Sequence, residues 1–131
     1  MRNEEVTLLY SERIFSTSHI PKGYESKYEK NINYIFQRYK HMANSLAEVV
    51  GILIKVERES EGPRIKISGP HEKVEETLLK LFENFPLPPE TKIILDSTTQ
   101  NGYNIAKKVI KTLNYRIKES KDYAEILRRK A

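Results

Sequence analysis

The chain has 131 residues, of which 38% are hydrophobic and 31% charged, a balance typical of one folded domain in water. It contains no cysteine, which excludes disulfides, thiolate nucleophiles and Cys-ligated zinc. The net charge of +5 is uneven: residues 91–131 carry 10 Lys and Arg against 4 Asp and Glu, whereas residues 1–90 carry 13 against 14.

This asymmetry favours a polyanionic partner, either a nucleic acid or an acidic protein surface, although a solvated basic face is the plain alternative. No apolar run is long enough for a membrane span, and no signal peptide follows the N-terminus, so we expect a cytoplasmic protein without a membrane partner. Many Lys, Glu and Ile residues, with no Cys or Trp, are typical of proteins from thermophiles.

The first half of the chain predicts a strand and a long helix. Val6, Leu8 and Tyr10 alternate within a strand over residues 6–15. After a loop, apolar residues recur at helical spacing over residues 26–50 and predict a helix that ends at Gly51.

The second half predicts alternating short elements. Strands at residues 52–57 and 64–68 flank a turn at Gly62-Pro63, and a helix opened by Pro70 follows. Beyond it we predict a strand at 92–96, a helix at 103–113, a possible edge strand at 115–117 and a last helix at 122–130.

The order β-α-β-β-α-β predicts an α+β fold, a ferredoxin-like or KH-like sandwich with an antiparallel or mixed sheet and helices on one face. A C-terminal helix and a possible edge strand are appended. We expect one domain over residues 1–131, with a core in 1–90 and a basic extension in 91–131. The second sheet face is then free to bind a ligand, or is covered by a partner chain.

Two clusters of cations indicate contact with nucleic-acid phosphates. Lys55, Arg64 and Lys66 share one sheet face by the period of two. Arg38 and Lys40 lie on the long helix among three aromatic residues, an arrangement that suits base stacking combined with backbone contact. Of the three rings, Phe36 and Tyr39 have the spacing of core residues, and Tyr34 is the one that we expect to be exposed.

Residues 45–85 resemble the second half of a KH domain. The family has a glycine before a strand of the GVKIKV type, then a second strand and a helix that begins ISGP, and residues 51–56 (GILIKV) and 65–70 (IKISGP) match this pattern. The resemblance implies a KH-like fold and RNA binding. The GxxG loop by which KH domains clamp nucleotides would fall at residues 37–40, which contain no glycine.

The loop after the strand at 92–96 is a candidate anion site. Asp96 closes that strand, and hydroxyls, amides and a glycine precede the next helix: Ser97, Thr98, Thr99, Asn101 and Gly102. In the simpler alternative, Thr99 or Asn101 caps the helix and Asp96 orders the loop. His19, His41 and His71 show no metal-ligand spacing, so we expect no metal, no cofactor and no catalytic residues.

The sequence therefore predicts a small non-catalytic protein that binds RNA or single-stranded DNA. The predicted nucleic-acid contacts are Arg38, Lys40, Lys55, Arg64, Lys66, Lys107, Lys108, Lys111, Arg128 and Arg129. One alternative is a dimerising interaction or scaffold module whose open sheet face, with an outward Leu53, is a homodimer interface. Another is a phosphate-ligand site in residues 96–102.

Overall fold

The computed structural model describes residues 3–11, 21–87, 91–96, 98–121 and 123–127. The elements are β1 (Glu4–Ser11), α1 (Glu25–Leu46), β2 (Leu53–Arg58), β3 (Pro63–Gly69), α2 (His71–Asn84), β4 (Lys92–Leu95), α3 (Gln100–Thr112), β5 (Arg116–Glu119) and β6 (Ala124–Leu127). The predictions made for Ser97, Arg128 and Arg129 lie outside the described residues. No helix in the described part of the chain has the length and apolar character of a membrane span.

The strands form one six-stranded sheet in the order β2-β3-β1-β4-β6-β5, and every neighbouring pair is antiparallel. Each helix joins two parallel strands that are separated by one strand, which is the split βαβ connection. The predicted α+β class is confirmed. The basic segment after residue 91 belongs to the same sheet, because β4 pairs with β1 and carries β6 on its other side.

The three helices pack on one side of the sheet, and the core lies there. Val6, Leu8 and Tyr10 of β1 alternate onto this side as predicted and are buried, as are Ile65 and Ile67 of β3. Burial of each such side chain contributes about 1.5–3 kcal/mol. We call the opposite side, which bears the alternate residues of each strand, the open face.

Helix α1 is shorter than predicted, because it ends at Leu46 instead of residue 50. The Ala47 N–H still donates to the Ala43 carbonyl, and a turn follows in which Gly51 has a φ of +90°. The apolar residues at the end of the predicted helix belong to this turn, where Val49 is buried without being helical. Periodicity alone therefore extended the helix too far.

The segment predicted as a last helix contains a strand. Residues 124–127 form β6, which inserts between β4 and β5 and buries Ala124 and Ile126. A short apolar run fits both a helical and a strand period. The strand forms here because it pairs with the backbone N–H and C=O groups of β4 that would otherwise have no partner. The edge strand predicted at 115–117 is confirmed as β5.

Candidate functional site

The three predicted sheet cations share the open face. Lys55 of β2 lies directly opposite Lys66 of β3, and Arg64 lies opposite Glu57 on the same side. None of the three helices packs on this face. The face is most exposed at its β2 edge, where Leu53 is 59% exposed, and β1 in the middle of the sheet is buried on both sides.

Two of these three cations are paired with carboxylates. Lys66 Nζ lies 3.5 Å from Glu5 Oε2, and Arg64 lies 3.4 Å from Asp96 and 3.7 Å from Glu59. Surface pairs of this kind stabilise a fold by only about 0–1 kcal/mol, but they reduce the field that a phosphate would meet. Lys55 has no acidic partner among the described residues and is the most available of the three predicted sheet cations.

The predicted cations of α3 lie on the helix side of the sheet, away from the open face. Lys107 Nζ is 2.6 Å from Glu119, and Lys108 Nζ is 3.0 Å from Glu75, whereas Lys111 is exposed. Hydrogen bonds from Lys107 and from Tyr103 hold the pKa of Glu119 below its usual value. The predicted cations therefore do not form one continuous surface.

A concave site lies between α1 and the end of α2. This cleft of about 480 Å³ is lined at depth by the buried Tyr10, Tyr39 and Met42, and its rim includes the exposed Arg38 and His41. Asn84, Phe85 and Pro86, at the end of α2 and just beyond it, close the far wall. We call this the α1–α2 cleft.

The aromatic residues in the depth of the cleft form a rigid, uncharged surface. The rings of Tyr10 and Tyr39 meet edge to face, with centroids 4.8 Å apart. Burial, and secondarily the proximity of Tyr115, raises the pKa of Tyr10 far above its usual value, so its phenol stays neutral. The charge of the cleft therefore comes from its rim.

Two of the three rings of the α1 cluster lie as the spacing predicts, whereas Phe36, predicted to be a core residue, is only partly buried and lies outside the core cluster. Tyr39 is only 8% exposed and belongs to the core, whereas Tyr34 is 69% exposed. Lys40 does not line the cleft; its Nζ lies 5.2 Å from the centroid of the Phe36 ring, which is cation–π distance. Arg38 is thus the predicted cation that the fold brings to a concave site.

The loop at residues 96–102 uses most of its donors within the protein. The Thr99 hydroxyl accepts from the Gly102 N–H at 3.0 Å, which confirms the predicted cap, and it donates to Glu4 Oε2 at 3.1 Å. The Asn101 amide donates to the other Glu4 oxygen at 3.3 Å. The buried Glu4 carboxylate thus occupies the N-terminus of α3, where an anion would bind.

The rest of this loop is similarly engaged. Thr98 accepts from the Thr7 N–H at 3.0 Å and donates to the Asp96 carbonyl at 3.1 Å. Asp96 itself lines a neighbouring pocket of about 290 Å³, where its carboxylate would repel a phosphate. Among the described residues, no group of three acidic, His or Cys side chains is placed to hold a metal ion.

Sequence reasoning missed several residues of these sites. Tyr10 and Phe85 reach the cleft from elements far from Arg38 in the chain. Glu4 precedes the first predicted strand and carries no local signal for its position. Comparison of the chain with protein families, with curated proteins and with solved structures found no match in any of the three.

Proposed function

We propose that this chain is a cytoplasmic, non-catalytic protein that binds RNA or single-stranded DNA, with one base in the α1–α2 cleft and the adjoining phosphate on Arg38. The observation that supports the proposal is the combination of an aromatic interior with the Arg38 guanidinium and the His41 imidazole at the rim. Concave sites with an apolar interior and a few convergent polar groups are the usual places for ligands.

The chemistry of the cleft suits a nucleotide in two respects. A base that packs against aromatic side chains gains about 1–3 kcal/mol irrespective of its identity. A guanidinium binds phosphate with two parallel N–H donors, and Arg38 has no carboxylate partner among the described residues to compete with the phosphate. The cleft is large enough for a base but not for a duplex, which favours a single strand.

The open face contributes less to the proposal. Lys55 is exposed and unpaired in the described structure, but it lies on the open face, across the sheet from the cleft, so it would contact only a strand that passes around the β2 edge. Arg64 and Lys66 contribute weakly because of their carboxylate partners, and Lys107 and Lys108 are similarly paired. Arg38 is therefore the residue on which affinity depends most.

Fluorescence anisotropy with labelled single-stranded oligonucleotides tests the proposal. We expect Arg38→Glu to weaken binding about tenfold and to lower the log–log salt slope by about one. Lys30→Glu is the matched control, because Lys30 is also exposed on α1 but lies about 12 Å away along the helix. It should weaken binding much less.

A second variant blocks the cleft without changing its charge. Ser45 is exposed and lines the cleft, so Ser45→Phe should fill the space and weaken single-strand binding in a protein with unchanged melting temperature. If no oligonucleotide binds at low salt, or if both Arg38→Glu and Ser45→Phe bind as well as the parent, the proposal is wrong.

A further inference from the structure

Strand β2 is an edge of the sheet formed by the described residues, and no described strand pairs with the backbone groups on its free side. The Glu59 N–H donates to the Gly62 carbonyl at 3.0 Å, which sets the alternation of hydrogen-bonded pairs along β2 and β3. By this alternation Leu53, Lys55 and Glu57 bond to β3. The N–H and C=O groups of Ile54, Val56 and Arg58 then point away from the sheet.

The β2 edge lacks two of the usual features that prevent strand addition, although it carries the charged residues Lys55, Glu57 and Arg58. Its pairing with β3 is continuous from Leu53 to Arg58, without a bulge, and the strand contains neither proline nor glycine. Ile54 and Val56 are only partly buried on the helix side. A second strand at this edge would satisfy the free backbone groups and cover these two side chains.

The charges of β2 fit a second copy of β2 in one antiparallel register. When Val56 lies opposite its own copy, Lys55 lies opposite Glu57 of the other chain, and the symmetry repeats this pair. Because Ile54, Val56 and Arg58 all direct their backbone groups outward, this register also aligns them as hydrogen-bonded pairs. Lys55 and Glu57 then form a non-hydrogen-bonded pair, in which side chains approach most closely.

The neighbouring symmetric registers are worse. A two-fold axis at position 55 places Lys55 opposite its own copy, and an axis at position 57 does the same for Glu57. The other edge of the sheet, β5, carries the cations Arg116 and Lys118 on the open face, so antiparallel self-pairing centred at position 117 sets cation against cation. These charges therefore favour β2 over β5 as the paired edge, and they favour the register about Val56 over those about positions 55 and 57.

We infer that two copies of the chain associate through their β2 edges, antiparallel about Val56, and join their sheets into one with Lys55–Glu57 pairs across the boundary. The interface is isologous, which closes the assembly at a dimer. It differs from an interface between open faces, because it joins the sheets edge to edge and leaves the open faces out of the contact. It also goes beyond the nucleic-acid proposal and does not depend on it.

Lys55→Glu tests the inference because it should stabilise the fold of each chain but weaken the association of two chains. Within one chain the new carboxylate lies opposite Lys66 and replaces a repulsion by an attraction. Across the interface it lies opposite Glu57, so dimerisation should weaken roughly tenfold or more while thermal stability does not fall. Analytical ultracentrifugation over a dilution series, without nucleic acid, measures the dissociation constant.

Two further variants and a control variant make the test specific. The double change Lys55→Glu, Glu57→Lys exchanges the charges of the pair and should restore dimerisation. Val56→Pro removes an outward N–H and should give a monomer with β3 still paired. Lys118→Glu reverses an exposed cation on the opposite edge strand and serves as the control that should leave the dimer intact.

The inference is overturned if the parent protein is a monomer at about 100 μM, a concentration at which interfaces with micromolar Kd are formed. A dimer that tolerates both Lys55→Glu and Val56→Pro would also overturn it, since the interface would then lie elsewhere. Arg38→Glu keeps the two proposals separate, because it should weaken oligonucleotide binding about tenfold without changing the dissociation constant of the dimer.

Discussion

Lys55 and Lys66 face each other directly across β2 and β3, and only Lys66 has a carboxylate, that of Glu5, within 4 Å among the described residues. Two like charges in a directly opposed cross-strand pair destabilise a sheet. The fold therefore keeps an unfavourable contact at its exposed edge, which is a common property of surfaces that meet a partner.

Lys55→Glu should raise the free energy of unfolding by about 0.2–1 kcal/mol, because it converts this repulsion into an attraction. Urea unfolding followed by circular dichroism at low protein concentration gives the value for the monomer. The gain should shrink at 1 M salt, where exposed charges are screened. Glu57→Lys, opposite Arg64, should act in the other direction.

Gly102→Ala should destabilise the protein by about 1–3 kcal/mol. Gly102 lies in the first turn of α3, where that helix crosses β1, and a Cβ there would collide with the carbonyl oxygen of Glu5 and lie 2.8 Å from the Thr99 hydroxyl. Asn104→Ala, at an exposed position of the same helix, should change stability by less than about 0.5 kcal/mol. Equal melting temperatures for the two variants would contradict the close approach.

Thr99→Ala should cost about 0.5–2 kcal/mol, because it removes the cap of α3 together with a donor to Glu4. Thr99→Ser keeps the hydroxyl and should retain most of the stability. Inorganic phosphate at constant ionic strength should leave the melting temperature of the parent unchanged, since Glu4 occupies the helix N-terminus. A clear rise in melting temperature with phosphate would support the alternative anion site.

The pairing of Tyr103 with Glu119 predicts a loss of stability at high pH. Partial burial, followed by the hydrogen bond to Glu119, raises the pKa of Tyr103 from 10.0 to about 12. The contribution of Tyr103 to the free energy of unfolding is complete below pH 10, where its phenol is protonated in both the folded and the unfolded chain. This contribution is lost as the pH rises towards 12, because the phenol ionises at a lower pH in the unfolded chain than in the folded one. Tyr103→Phe should unfold with a shallower pH dependence in this window.

The same carboxylate predicts an effect at the acidic end. The pKa of Glu119 is lowered in the folded protein. Its carboxylate therefore stabilises the fold at pH values above the ordinary pKa of a Glu side chain, and this stabilisation is lost as the pH falls below that pKa. Glu119→Gln should therefore flatten the acid limb of the stability curve, measured by urea unfolding at several pH values. Glu83→Gln, at an exposed position of α2 without an ion pair in the described structure, should leave that limb unchanged.

Much of the fold follows from local patterns. The alternation in β1, β2 and β3 and the helical stripe of α1 were readable because the side chains that recur at the strand or helix period are the ones that pack on the core. The shared face of Lys55 and Lys66 followed from the same period. The strand β6 was not readable, because four residues fit either period and its conformation depends on the free edge of β4.

The α1–α2 cleft was only partly readable. The cluster of Arg38 and Tyr39 stood out within one helix, but the cleft also needs Tyr10 and Phe85, which only the packed fold brings there. The place of Glu4 at the N-terminus of α3 likewise depends on contacts across more than ninety positions of the chain. A contact between residues this far apart in the chain leaves no pattern in the local sequence from which it could be predicted.

The position of β6 between β4 and β5 has a consequence for biosynthesis. The ribosome synthesises β4, α3 and β5 before β6, the strand that lies between β4 and β5 in the sheet. Until β6 is synthesised, the side of β4 that faces away from β1 has no strand partner among these elements. A chain stopped ahead of Ala124 would display the backbone of β4 as a template for other nascent chains. A sheet without an exposed edge at β4 therefore depends on the synthesis of β6, the last described strand.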